Sequence, residues 1–332
     1  MKKFISVLLM TALIFSFSTI AFAEENEKIT FGTDKNGAVL NINEVLSPWQ
    51  TYEFPILLNG SPLSNEKGDQ YKIRLENIKG SKAIEEIKVM RGLENYYLKV
   101  KVLPLSYVEQ IPVEYRLFMT KDNNRLSTQF SFTTGFRKVS DDYINNLSEG
   151  EDIRVTNESP LFTKEQLNRI SEKNNWKKVT FTGDKWRYTA NVTDKGPANF
   201  LYNYNNIESI VSKYPQNDFL FLSFPAGPQF SKSILEIDVS DYEESFKNGI
   251  YAYSYYNNKL TPVQCEYDSD NLTAQLTVYG LGQYVISDKP LKSAEISGST
   301  NPNTGYADNI PAAFIGLISS AIGVSLLKKK LN

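Results

Sequence analysis

Apolar and polar side chains alternate one for one over long tracts of this chain, a period that strands show and helices do not. Tyr71, Ile73 and Leu75 alternate with Lys72, Arg74 and Glu76. Tyr96, Leu98, Val100 and Val102 alternate with Tyr97, Lys99 and Lys101. Val113, Tyr115, Leu117 and Met119 alternate with Glu114, Arg116 and Phe118. Residues 129–133 read as another strand, and Lys121-Asp122-Asn123-Asn124 supplies turn chemistry between two of the runs. No helical pattern of useful length intervenes. Short strands roughly 12–20 residues apart predict an antiparallel β-sandwich of immunoglobulin-like kind over 24–138, without requiring immunoglobulin topology.

A polar, acidic stretch of weak periodicity, 139–150, predicts a linker to a second β-rich module, 151–288. That module opens with one short helix near 164–174. Thr163 is its N-cap and Gln166 completes a capping box. Leu167 and Ile170 form its apolar face, and Asn174-Asn175 ends it. Beyond it, Gly183-Asp184 predicts a turn between strands at 177–182 and 185–192, and the apolar run 219–224 reads as a central strand. Leu235, Ile237 and Val239 share a face. Tyr-rich 251–256, the turn 257–259 and 260–263 form a hairpin; strands at 272–278 and 282–287 close the module. The stretch 251–287, with Gly282-Gln283-Tyr284-Val285-Ile286-Ser287 at its end, resembles β-rich repeats near the C-termini of many Firmicutes surface proteins. That resemblance implies an extracellular structural module and no activity.

Composition narrows the chemistry. The chain of 332 residues has no His and one Cys. Ser-His-Asp and Cys-His catalysis, imidazole metal sites, intramolecular disulfides and thiolate zinc clusters are therefore excluded. The formal charge of -2 argues against a nucleic-acid partner. Cys265 lacks an imidazole base, so a structural role is expected of it. Asp268-Ser269-Asp270-Asn271 places oxygens at alternate positions, but position 6 of a calcium loop would be Thr273 and position 12 Tyr279, where Gly and Glu are needed. It reads as a hairpin turn. Neither a metal nor a cofactor is expected. Trp176, Trp186, Tyr188, Tyr202 and Tyr204 fall close together in sequence, with Trp49 a similar feature elsewhere. Exposed in a stripe, Trp176, Trp186 and Tyr188 would form a sugar-stacking face; buried, they are core.

The two ends read as addresses. Lys2 and Lys3, the apolar run 4–17 and Ala21-Phe22-Ala23 make a secretory signal peptide over 1–23, cleaved after Ala23. Near the other end, 310–327 is an uncharged span of 18 residues, long enough to cross about 30 Å of hydrocarbon. Lys328, Lys329 and Lys330 follow and favour a cytoplasmic terminus. Just upstream stands Asn301-Pro302-Asn303-Thr304-Gly305, after a stalk over 289–304. Pro302 biases Asn301 toward an extended backbone, which suits a groove.

Pentapeptide, apolar span and basic tail, in this order over about the last 32 residues, resemble the sorting signal of sortase-anchored, Gram-positive surface proteins. Pro302, Thr304 and Gly305 match the common Leu-Pro-x-Thr-Gly form, Asn301 replaces the Leu, and a variant class begins Asn-Pro. The resemblance implies that a transient sortase partner attacks the Thr304 carbonyl, releases 305–332 and joins Thr304 to peptidoglycan. The membrane would hold the chain through 310–327 until then. The Tyr-Pro-Lys string of pilus subunits is absent; the nearest is Tyr214-Pro215-Gln216. The expectation is a secreted, cell-wall-anchored surface protein with a binding, adhesion or display role toward an extracellular polysaccharide or protein, without catalysis. Its rivals are a carbohydrate-binding module, a wall-anchored hydrolase with two facing carboxylates, and a structural spacer.

Overall fold

The computed structural model describes residues 27–247 and 249–292. The signal-peptide residues Ala21 and Ala23, the motif Asn301–Gly305 and the span 310–327 lie outside the described residues. Among those described, no helix is long and apolar enough to cross a membrane. The chain is mainly β, with several antiparallel sheets. The described residues divide into two compact units: those up to Leu105 together with Ile111–Thr134, and Ser106–Gln110 together with those from Gly135.

The first unit contains β1 (Ile29–Phe31), β2 (Val45–Leu46), β3 (Thr51–Leu58), β4 (Ser61–Pro62), β5 (Lys72–Lys79), β6 (Ile84–Arg91), β7 (Tyr96–Val102), β8 (Ile111–Lys121) and β9 (Asn124–Thr134). One sheet runs β1-β3-β7-β6, with β4 also on β3; the other runs β2-β9-β8-β5. Pairing is antiparallel except between β2 and β9. The alternation places Phe54, Ile56, Leu98 and Val100 from one sheet against Val113, Leu117 and Phe132 from the other in one buried cluster. Strand β3 carries the same period, but Pro55 obscures it, since Pro is rare inside a sheet. The proline is tolerated where the ladder to β1 stops: β1 pairs with residues from Ile56 onward, on the edge opposite β7, which pairs with residues up to Pro55.

The second unit contains β10 (Ile153–Arg154), β11 (Leu161–Phe162), β12 (Val179–Gly183), β13 (Trp186–Ala190), β14 (Ala198–Asn199), β15 (Phe219–Ser223), β16 (Gln229–Asp238), β17 (Tyr251–Tyr256), β18 (Lys259–Pro262), β19 (Cys265–Asp268), β20 (Thr273–Gly280) and β21 (Gln283–Ser287). A six-stranded sheet runs β10-β12-β13-β16-β20-β19, a four-stranded sheet runs β15-β21-β17-β18, and β11 pairs with β14. The four-stranded sheet is covered on both faces. Leu220, Leu222, Tyr284 and Ile286 enter the larger core. Phe221, Tyr253, Tyr255 and Val285 pack with Ile207, Ile210 and Leu291 on the other side.

Several sequence expectations change. The run 219–224 is not central: β15 ends its sheet, and its unbroken apolar character comes from burial on both faces. Residues 139–150 are not a linker. They include a helix, Asp141–Asn146, and Val139, Ile144 and Leu147 belong to the larger core. Spacing of these apolar residues over a single turn is too short to register as a period. The second unit has further short helices, Glu208–Lys213 and Glu243–Phe246, beside Lys164–Lys173. The start of the expected stalk is docked: Leu291 is buried, and its amide donates to the Tyr253 hydroxyl at 2.7 Å.

Candidate functional site

The three aromatic candidates do not form a stripe. Strand β13 lies between β12 and β16, and its even-numbered residues Trp186, Tyr188 and Ala190 turn toward the core while Arg187 turns out. Trp186 is 2% exposed and Tyr188 is 0% exposed. The Trp186 indole meets Tyr202 and Phe224 edge-on, with centroids 5.4 and 5.1 Å away. Tyr188 packs against Phe230, and burial pushes its hydroxyl above the usual tyrosine range. Both therefore belong to the core, on the face opposite Arg187.

Trp176 is the exposed member, at 53%. The helix Lys164–Lys173 places it. Thr163 accepts from the Gln166 amide at 3.2 Å while Gln166 Oε1 accepts from the Thr163 amide at 3.0 Å, closing the expected capping box. At the other end, the amides of Asn175 and Trp176 donate to the Glu172 and Ser171 carbonyls at 3.0 and 2.8 Å, with both residues at positive φ. These two bonds define a Schellman cap. Trp176 thus stands at the end of a cap, apart from the other two candidates. Trp49 is half-buried, with its amide on the Val102 carbonyl.

The groups singled out for chemistry are occupied structurally. Cys265 is half-buried on β19, and burial, with help from Glu266, pushes its thiol up to about 11. At neutral pH it is overwhelmingly protonated and a poor nucleophile. Asp268 spends its oxygens inside its own turn. Oδ1 accepts from the amides of Asp270 and Asn271 at 3.0 Å, and Oδ2 accepts from the Asn271 side chain at 2.8 Å. Those bonds hold its carboxyl below the usual range. Among the described residues, no group of three or more His, Cys, Asp or Glu is placed to hold a metal ion.

One concavity opens at the end of the four-stranded sheet, between Phe224-Pro225, Ser254–Tyr256 and Leu281–Tyr284. Gly282 lines it; a Cβ there would meet nothing within 4 Å. Its volume is about 50 Å³, far below the roughly 300–1,000 Å³ of small-molecule sites. It can admit waters or the tip of a side chain but not a sugar ring. On the first unit, Glu86 stands between Lys88 at 2.5 Å and Lys99 at 2.8 Å. Hydrogen bonds from Lys88 and then Lys99 draw its carboxyl down to about 2.

No family model matches the chain, and no curated protein matches it. Among solved structures it is similar to the titin M3 domain, at 16% identity over 33% of this chain and 98% of that one, with a TM-score of 0.21. It is also similar to a titin tandem of Ig domains, at 7% identity over 80% of this chain and 86% of that one, with a TM-score of 0.17.

Proposed function

We propose that the chain is a secreted surface protein of a Gram-positive bacterium, joined to the cell wall through Thr304, whose β-rich modules bind or display and do not catalyse. The observation that carries this reading is the order of three sequence parts: Asn301-Pro302-Asn303-Thr304-Gly305, the uncharged span 310–327 and Lys328–Lys330. An export signal at 1–23 supports it, because a sorting signal acts only on an exported chain. For a binding or display role, the support is a β-rich body in which Cys265 is held as the protonated thiol and Asp268 is bonded inside its own turn.

We read the first unit as an immunoglobulin-like module. Its support is the pairing order: β1-β3-β7-β6 facing β2-β9-β8-β5 corresponds to ABED against GFC, with the first strand divided so that β2 runs parallel to β9.

Intact mass of the protein released from purified walls by a muralytic enzyme tests the anchor. The expected mass is that of 24–304 plus a wall fragment. In Thr304→Ala the expected outcome is loss of wall linkage and retention in the membrane fraction. Recovery of a species running to Asn332 only by detergent, or unchanged wall linkage in the variant, would refute the anchor.

A further inference from the structure

The outward face of the sheet β2-β9-β8-β5 carries an unusual cluster near the hairpin at Asp122. By alternation Phe118 points away from the core, yet it is only 7% exposed. Two arginines cover it. Arg74 sits directly opposite on β5, and its guanidinium carbon lies 4.8 Å from the ring centroid. Arg125 on β9 lies diagonally across, at 4.0 Å. The ring attracts both guanidinium groups and holds them beside it. It does not neutralise them.

Countercharge is scarce here and plentiful elsewhere on the unit. Arg125 and the exposed Lys72, two residues before Arg74, have no carboxylate partner among the described residues. Arg74 has Glu76 at 3.8 Å, both side chains largely exposed, a weak pairing. By contrast Lys88 and Lys99 share Glu86, Lys101 holds Glu85 at 2.7 Å and Arg91 holds Asp69 at 3.2 Å. Glu114 lies further along the face, paired with Lys79 at 3.7 Å. Thr120 and Ser127 share the cationic end, and neither hydroxyl has a hydrogen-bond partner among the described residues. The result is a set of like charges whose countercharge among the described residues is the weak Glu76 contact, flanked by free hydroxyl donors.

We propose that this face binds tetrahedral oxyanions, phosphate or sulfate groups, carried on an extended polymer other than nucleic acid. Guanidinium forks held at a fixed place suit bidentate oxyanion contacts. The open face of a sheet suits an extended ligand better than an enclosed one. Single-stranded nucleic acid wants free aromatic faces for its bases, and Phe118 is already covered. The inference goes beyond the anchoring reading and stands on the folded face alone, however the chain is attached.

The test measures binding of the full chain to fluorescein-labelled polyphosphate and, separately, to fluorescein-labelled dextran sulfate, with single-stranded DNA and anionic phospholipid vesicles as comparison arms. R74Q/R125Q should weaken polymer binding about tenfold or more, as expected when charge-assisted bonds are lost. F118L keeps both charges but removes the ring, and should weaken binding about two- to fivefold. K88Q/K99Q removes two lysines that Glu86 already holds, and should leave binding unchanged. Circular dichroism confirms that each variant is folded. Binding to one polymer alone identifies phosphate or sulfate as the source; binding to both supports the shared chemistry. The inference is overturned by unchanged binding in R74Q/R125Q, by an equal loss in K88Q/K99Q, or by vesicles or DNA binding where both polymers fail.

Discussion

Gly183 and Trp186 are the paired ends of a tight hairpin, and the indole lies against the glycine. A Cβ at Gly183 would fall 2.2 Å from the indole Nε1. Gly183→Ala should displace the ring and cost ~1–3 kcal/mol. Trp186→Ala should cost ~3–5 kcal/mol by leaving a cavity, whereas Trp176→Ala should stay within ~0.5 kcal/mol as a surface change. Urea titration of the three variants gives the ranking directly. Glu86 offers a test in pH. Its carboxyl is lowered on folding from an ordinary value of 4.5 to about 2, so its contribution is present above pH 4.5 and fades as the pH falls toward 2. Glu86→Gln should flatten the acid dependence of stability in that window and leave it unaltered above it. At this scale the sequence was legible in part. The alternation in β13 was visible, and it already implied that Trp186 and Tyr188 share one face with Ala190. The two-arginine cover on Phe118 was not visible, because Arg74 and Arg125 meet the ring only once β5, β8 and β9 are aligned.

Local elements with self-contained chemistry were the most readable. The capping box at Thr163 and Gln166 needs only residues three apart, and it forms as expected. Thr163→Ala should cost ~1 kcal/mol, measurable as a shift in the denaturation midpoint without a change in slope. The hairpin from β17 to β18 is equally local. Asn257 and Asn258 both take positive φ, at 46° and 60°, as a two-residue turn matched to strand twist requires. The hairpin from β12 to β13 is also present, though its loop is Asp184-Lys185 and not Gly183-Asp184. Elements defined by partners were harder to read. Strand β3 was hidden by Pro55, whose tolerance depends on its lying where the ladder to β1 stops. The run at β15 showed that both faces are covered. It could not show which neighbours lie in the sheet, because burial leaves a mark in composition and strand order does not.

For the whole molecule, residues 139–150 are part of how the second unit is built. Ile144 is fully buried in the larger core, in company with Leu167 and Ile170 of the capped helix. Ile144→Ala should therefore cost ~2–5 kcal/mol. Segment-resolved hydrogen exchange should show the loss of protection in the larger core of the second unit, with the cluster around Phe54 and Phe132 retained. A neutral outcome would return 139–150 to the status of a tether. The polar run Ser140-Asp141-Asp142 suggested that status because it opens a helix on the surface, and its single buried turn was too short to be seen as a period.

The five residues 106–110 sit between β7 and β8 in sequence but belong to the second unit. There Tyr107 stacks on Phe136, the Asn199 amide donates to the Tyr107 carbonyl at 2.7 Å, and Gln110 donates to the Phe136 carbonyl at 3.0 Å. In evolutionary terms, the first unit cannot be exchanged as a cassette. Shuffling systems that copy a contiguous stretch up to Thr134 would carry off part of the neighbour's fold, and a recipient would inherit a loop evolved for contacts it lacks. A descendant of this arrangement is therefore more readily inherited as the pair than assembled from separate parts.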